Sequence, residues 1–420
     1  MHIGLVHYAS PPIVGGVELT IFHHARVLIA LGHQITIVSG QGTAFLPQVS
    51  YHPEPLIGSY SPAVLEASRI LAAGHHPDNF GELLAQTQAA LLKNLASCDV
   101  IIGHNLFTLH KNLILTTAVY RLLQTGEGPP WVAWHHDFAW LRPQYQPELH
   151  PGEPWELLRH PWPGVCHVTV SQAQQADLVR LYGLPPESIT VISPGVEPTD
   201  FYRANPVVKQ LLQKWNLLQA DCVFLLPARI TRRKNIELGL RWLAAIRDCS
   251  GWDARLVVTG PPGPHNPTNT AYLEQLWRLC RELQLEQAVH FAYQAHEDSD
   301  QPLLLTDGAV AEFYQLADAL LFPSQQEGFG IPILEAALAR LPIFATDLLP
   351  FRESAGPWAT LFAAETPPSK VAQAIVEKLE TDRAFQLRQR VLARYTWQSI
   401  VETKMLPLLA QVISSQNEGK

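Results

Sequence analysis

A chain of 420 residues exceeds what one hydrophobic core usually supports, roughly 250–300 residues, so two domains are expected. Its 47% hydrophobic and 16% charged residues exclude a disordered or fibrous chain, and a formal net charge of −8 leaves no general basic footprint for nucleic acid. The five cysteines, Cys98, Cys166, Cys222, Cys249 and Cys280, are scattered without a C-x-x-C pair, which suggests reduced core thiols rather than a disulfide framework or a zinc site.

The first residues lead directly into a strand pattern, without the basic region and apolar run of a targeting segment. No stretch approaches the roughly 18 apolar residues of a membrane span, so a cytoplasmic protein without stable membrane insertion is expected. Residues 3–7 and 34–39 are short apolar runs with a helical segment, 17–31, between them, which is a β-α-β unit. Residues 41 to 97 follow the pattern less well and read as an insertion of helix and loop. Strands are expected again at 100–103, 131–134 and 168–170, making the first half a doubly wound α/β domain. A second series begins at 189–192 and continues at 223–226, 255–259, 289–291, 319–322 and 343–345, which implies a second Rossmann-like domain. Ser193-Pro-Gly-Val-Glu-Pro198 is the expected hinge, giving domains 1–193 and 194–396, with a helix at 397–415 returning to the first. Open α/β sheets bind ligands beyond the carboxyl ends of their strands, so the loops that follow strands are the place to look for chemistry.

Pro227-Ala-Arg229-Ile-Thr-Arg-Arg-Lys234-Asn-Ile follows one such strand, with a helix expected to start near Asn235. Arg229 and Lys234 would project near a helix N-terminus, which suits a diphosphate; a solvated basic turn explains the same residues about as well. After the strand at 319–322, Glu327 and Glu335 bracket a turn containing Gly328, Gly330 and Pro332. Glycine lets backbone approach a ligand, and two carboxylates can accept hydrogen bonds from hydroxyls. A helix entered through Pro332 with a surface glutamate at 335 would look the same.

The run Phe322-Pro-Ser-Gln-Gln-Glu-Gly-Phe-Gly-Ile-Pro-Ile-Leu-Glu-Ala-Ala resembles the signature of the family 4 retaining glycosyltransferases (glycosyl transferases group 1), which have the GT-B fold. The resemblance extends to Gly15-Gly-Val-Glu18, Gly32-His33, Ser193-Pro-Gly-Val196, Arg229, Lys234-Asn235 and, weakly, Tyr395-Thr-Trp397. It implies two Rossmann-like doubly wound domains facing across a cleft, the first binding the acceptor and the second the nucleotide sugar. It further implies that Arg229 and Lys234 bind the donor diphosphate, that Glu327 contacts hydroxyls of the transferred sugar, and that Glu335 binds the ribose. Backbone amides of Gly328, Phe329, Gly330 and Ile331 would face sugar or phosphate, and Gly15 and Gly16 would approach the diphosphate from the other domain. Trp134-His135-His136-Asp137-Phe138 resembles the family's His-Asp segment, with His136 aligned to the histidine near the reacting sugar and His135 its competitor one position away.

The implied reaction moves a hexose, glucose or mannose, from a UDP- or GDP-linked donor to an acceptor hydroxyl by front-face attack, the leaving phosphate oxygen taking the acceptor's proton. Neither metal nor cofactor is expected: adjacent histidines in an extended segment point to opposite faces, and no Asp-x-Asp follows a strand of the first domain. The expected partners are the nucleotide sugar and a small-molecule, glycan or lipid-linked acceptor, with no nucleic acid; a homo-oligomer stays open. His104-Asn105 stands where an acceptor pocket could form, or where a helix capped at Asn105 begins. The loop Thr259-Gly-Pro-Pro-Gly-Pro-His-Asn-Pro267 is longer than the family's usual turn, and Arg340 stands where a glycine is common. A phosphorylase of the same fold and a non-catalytic sugar-nucleotide binder remain alternatives. An NAD-dependent dehydrogenase would need G-x-G-x-x-G, which Pro11-Pro-Ile-Val-Gly-Gly-Val-Glu18 lacks.

Overall fold

The computed structural model describes residues 1–126, 128–263, 268–295 and 302–418. The chain divides into two compact units, Met1–Val196 with Tyr395–Lys420, and Glu197–Arg394.

The first unit is a parallel sheet of β1 (His2–Ala9), β2 (Gln34–Gln41), β3 (Val49–Pro53), β4 (Val100–His104), β5 (Trp131–His135), β6 (Cys166–Thr169) and β7 (Ile189–Val191), in the order β3-β2-β1-β4-β5-β6-β7. Alternate residues of each strand serve opposite faces. Val100 and Ile102 join Ile3, Leu5, Val132 and Trp134 in one apolar layer, while Ile101 joins Val6, Trp131 and Ala133 in the other. Both faces are therefore covered, as a parallel sheet requires. Helix α1 (Gly16–Ala30) supplies Ile21, Ala25 and Leu28 to the first layer. Beyond α2 (Pro62–Ala72), helices α3 (Phe80–Leu95) and α4 (Leu113–Thr125) supply Leu91, Leu95, Leu115 and Val119 to the second. The returning C-terminal segment places Trp397, Ile400, Val401, Met405 and Leu409 in the α1 layer. The two strands of chain that cross between the units pair as they pass: Val196 N–H donates to Tyr395 O at 2.8 Å, and Trp397 N–H to Val196 O at 3.2 Å.

The second unit is a parallel sheet of β8 (Cys222–Leu226), β9 (Ala254–Val258), β10 (Val289–Phe291), β11 (Ala319–Phe322), β12 (Ile343–Thr346) and β13 (Thr360–Phe362), in the order β10-β9-β8-β11-β12-β13. Strand order reverses between β1 and β4 in one sheet and between β8 and β11 in the other. Such switch points open a crevice at the carboxyl ends of the strands.

Three expectations need correction. The strand at Ile189 does not open the second series, because β7 pairs with β6, Ile189 opposite His167, as the last strand of the first sheet. The 41–97 region is not only helix and loop: β3 adds an edge strand beside β2, and its exposed Ser50 and half-exposed His52 hide it from an apolar-run search. No helix starts at Asn105, which adopts φ 59° in a turn; α4 begins later, capped by Asn112.

Arg340 also finds its explanation. It has φ 62° and closes helix Ile331–Leu338, with Arg340 N–H on Ala337 O at 3.0 Å and Leu341 N–H on Ala336 O at 2.9 Å. This left-handed C-terminal closure is where glycine is favoured. Arg340→Gly is expected to stabilise the second unit by about 0.5–1 kcal/mol. A lower thermal midpoint than wild type would contradict this.

Candidate functional site

The candidate residues of the second unit collect at the β8/β11 switch point. Arg229, exposed, follows β8, and the adjacent Ile230 N–H donates to Pro261 O at 2.9 Å, which stitches this loop to the one after β9. The latter loop is described to Gly263; residues 264–267 of the long Thr259–Pro267 segment lie outside the described residues. A single turn, Arg232–Lys234, precedes helix Ile236–Ser250. The turn directs Lys234 inward, so that its ammonium lies 5.0 Å from the centroid of the Phe322 ring and donates to Glu327 Oε1. Both side chains are only 10% exposed. Ser324 Oγ donates to the same Glu327 oxygen at 2.9 Å, and Arg233 Nη1 lies 3.3 Å from the other. Gln325 N–H donates to Arg233 O at 2.8 Å, tying the loops that follow β8 and β11 together. Burial lowers the Lys234 ammonium below its usual range, while Glu327 opposes that shift.

After Glu327 the backbone turns at Gly330, with φ 97°, where a Cβ would come within 2.8 Å of Phe351 Cδ1. Only glycine meets both demands. Helix Ile331–Leu338 then starts without a side-chain cap, so its first amides have no side-chain acceptor, and Phe329 and Ile331 are exposed beside them. Glu335 lies one turn on, exposed, and accepts a 2.6 Å hydrogen bond from Tyr314 Oη of helix Asp307–Leu316. Tyr314, Ser324 and Arg233 are the contacts that sequence reading misses. Arg233 was visible within Arg-Arg-Lys, whereas nothing in the chain's pattern ties Tyr314 to Glu335.

In the first unit, Gly15 precedes α1, and that helix also begins without a side-chain cap. A Cβ on Gly15 would stand 2.1 Å from Glu18 Oε2, the end of a flexible side chain that can swing aside, while Gly16 has open space above it. Glu18 Oε1 lies 3.8 Å from His7 Nε2, and His7 Nδ1 donates to His104 O at 2.9 Å. His104 Nδ1 is 3.1 Å from His136 Nε2, so a continuous chain of contacts runs from Gly15 to His136 across the β1/β4 switch point.

His136 and His135 point apart. His135 is wholly buried and spends its ring on Thr108 Oγ1 and His167 Nδ1, each at 3.1 Å. His136 is only partly buried, and its segment is clamped by Asn105 Oδ1, which accepts from His136 N at 2.8 Å and Asp137 N at 3.1 Å. His104 and Asn105 are therefore buried framework, which corrects the idea that they line an acceptor pocket. Burial pushes His136 down to about 3 and His7 to about 4, and holds His104 well below the usual range. These rings are neutral at pH 7 and act as hydrogen-bonding groups, not cations.

A family model described as Glycosyltransferase Family 4 matches residues 14–200, and one described as Glycosyl transferases group 1 matches residues 208–394. Mannosylglucosylglycerate synthase of Petrotoga mobilis is 25% identical over 287 residues, 63% of each chain. D-inositol 3-phosphate glycosyltransferase of Kineococcus radiotolerans is 30% identical over 183 residues, 42% of this chain and 38% of that one. This chain thus spans less than two thirds of the length of these curated relatives. The crystal structure of WaaG, a glycosyltransferase involved in lipopolysaccharide biosynthesis, aligns over 98% of both chains at 17% identity, with a TM-score of 0.33 that is too low to bear on the arrangement of the units. With both halves matched in consecutive order and each half folded as a doubly wound parallel α/β unit, this chain belongs to the family 4 glycosyltransferases.

Proposed function

We propose that this protein transfers a hexose, glucose or mannose, from a UDP- or GDP-linked donor to an acceptor hydroxyl with retention of configuration, and that it needs no metal. The observation that carries the reading is the nearly buried Lys234–Glu327 pair beside an uncapped helix N-terminus at the β8/β11 switch point. Burying such a pair costs solvation that its own attraction repays poorly, so it is better explained by a ligand it serves than by stability. When the donor binds, Lys234 and the exposed Arg229 take the diphosphate, and Glu327 is released to accept hydroxyls of the sugar. Amides of Gly328, Phe329, Gly330 and Ile331 add the partial positive charge of the helix terminus. Negative charge grows on the diphosphate as the glycosidic bond breaks, and these fixed donors stabilise it.

Glu335, oriented by Tyr314, holds the ribose. The second unit is thus the donor unit and the first the acceptor unit, in which Gly15 and Gly16 open an uncapped helix terminus suited to an anion. His136 contributes a neutral N–H to the sugar. The leaving phosphate oxygen accepts the acceptor's proton in a front-face attack, so no protein base is required. Two relatives carry mannosyl, glucosyl or inositol phosphate chemistry in their names, which supports a hexose and a polyol-like acceptor. No helix among the described residues is long and apolar enough to cross a membrane.

The test is a hydrolysis screen of UDP-, GDP- and ADP-hexoses with EDTA present. Release of hexose from one donor is the expected result, with the α-anomer appearing first by NMR. Inertness toward every donor, or activity only without EDTA, would overturn the function or its metal-free form respectively. Glu335→Ala is expected to weaken donor binding about tenfold to a hundredfold, the worth of hydrogen bonds to a charged group, with kcat little changed. Tyr314→Phe should show a smaller loss of the same kind. Unchanged donor affinity in Glu335→Ala would remove the ribose assignment.

A further inference from the structure

The first unit contains a cavity of about 250 Å³ lined by none of the residues assigned above. Ser59 and Tyr60 reach it from the loop after β3 and Ser68 from α2; His110 and Lys111 come from the turn after β4; Glu148 and Trp155 come from the stretch after β5. Each segment leaves the carboxyl end of its strand, the edge at which open α/β sheets hold ligands.

The wall is built by specific contacts. Asn112 caps α4 by accepting from Leu115 N at 3.0 Å and donates through Nδ2 to the carbonyls of Leu56 and Gly58, both at 2.8 Å. That clamp holds the loop bearing Ser59 and Tyr60 against the turn bearing His110 and Lys111. His110, 7% exposed, bonds Glu148 Oε2 through Nε2 at 2.9 Å. Its Nδ1 and the indole N–H of Trp155 are both buried without a hydrogen-bond partner in the structure. Few buried polar groups in a folded protein are left so, and two belong to the residues of one wall. The Asp137 carboxylate, next to His136, also acts electrostatically on the His110 ring.

We propose that this cavity is the acceptor site and that it takes a compact, uncharged, polyhydroxylated ligand, one sugar ring or a simple glycoside of it. The proposal rests on the glycosyl-transfer reading. Size sets the first limit, because about 250 Å³ falls below the roughly 300–1,000 Å³ of drug-sized sites. Charge sets the second. Burial keeps His110 neutral, so Lys111 and Glu148 are the charged lining groups and they balance. A phosphate or carboxylate would meet the Glu148 carboxylate in the same space as the single cation Lys111. Glu148, Ser59 and Ser68 offer the mixed acceptors and donors that vicinal hydroxyls need, and Tyr60, 67% exposed, stands at the rim as an aromatic face for a sugar ring.

The test uses the full chain with UDP-glucose or GDP-mannose, whichever the wild-type protein hydrolyses, and three acceptor probes: methyl α-glucoside, methyl α-mannoside and glucose 6-phosphate. Transfer to a neutral glycoside, in preference to the phosphate, is expected. Ser68→Trp, which fills the cavity, should move the ratio of transfer to hydrolysis at least tenfold toward hydrolysis. Lys111→Met, at an exposed position that spares the fold, should raise the acceptor KM at least fivefold. A wild-type ratio in Ser68→Trp, preference for glucose 6-phosphate, or no transfer to either glycoside overturns the proposal while leaving donor hydrolysis, and hence the transferase reading, intact. Absence of hydrolysis in the wild type strikes that reading instead. Saturation-transfer NMR of methyl α-glucoside, which needs no turnover, then decides the cavity: a signal lost in Ser68→Trp supports it, and no signal or an equal one overturns it.

Discussion

Lys234→Ala is expected to lower kcat by about 10²–10³-fold, the usual cost of removing one preorganised group that stabilises transition-state charge, while donor KM changes far less. The asymmetry follows from the geometry. Before the donor arrives the ammonium is already held by Glu327, so ground-state binding exchanges one anionic partner for another. Only as the leaving diphosphate gains charge does Lys234 interact more strongly than it did with the carboxylate. Alanine also leaves Glu327 with Ser324 and the more exposed Arg233 as its neighbours. Glu327→Gln should therefore lose activity by a different route, through the sugar hydroxyls, and the double variant should lose less than the sum of the two in free energy, because the partners are in direct contact. Steady-state kinetics on the donor identified by hydrolysis would measure this. A Lys234→Ala protein within threefold of wild type would end the diphosphate role.

Arg388→Met should cost the second unit about 3–5 kcal/mol, because breaking a buried ion pair leaves a charge without compensation. Asp318, just before β11, has a side chain only 1% exposed. It accepts from Val223 N–H at 2.8 Å and from the Arg388 guanidinium, so one carboxylate joins β8, β11 and helix Arg383–Arg394. Burial already raises the Asp318 carboxyl above its usual range, with Arg388 opposing. Without the arginine the carboxyl rises further and the folded state takes up a proton that the unfolded chain releases. The deficit should then shrink as pH falls from 7 toward 5. Adding Asp318→Asn should recover much of the loss. Hydrogen exchange across β8 and β11 reports the effect within this unit alone, and unchanged protection in Arg388→Met would refute it.

The two-sheet plan was legible because parallel strands buried on both faces are short apolar runs, as at 223–226 and 319–322, and those runs need no partner to be seen. Edge strands escape the same rule. β3 carries an exposed Ser50 and a half-exposed His52, and β7 has only three residues, so neither shows as a long apolar run. The motif around Glu327 was legible for a similar reason: Gly330 answers a local backbone demand that shows in the sequence. What was not legible is contact across sequence distance. Lys234 with Glu327, Tyr314 with Glu335, and Asn112 with the loop at 56–58 join residues whose spacing obeys no period. His104-Asn105 shows the converse error, since a polar pair after a strand looks like a site and is buried framework.

The paired crossing at Val196 and Tyr395 makes the second unit an insertion into the first, and this bears on how the protein is made. Synthesis supplies all of residues 197–394 before the segment that completes the first unit's core leaves the ribosome. Until then the layer that will receive Trp397, Ile400 and Met405 stays uncovered, so Ile21 and Leu28 of α1 face solvent or a chaperone. The second unit can thus be finished while the first is still incomplete, and a chain truncated near residue 394 would carry one folded half and one sticky one.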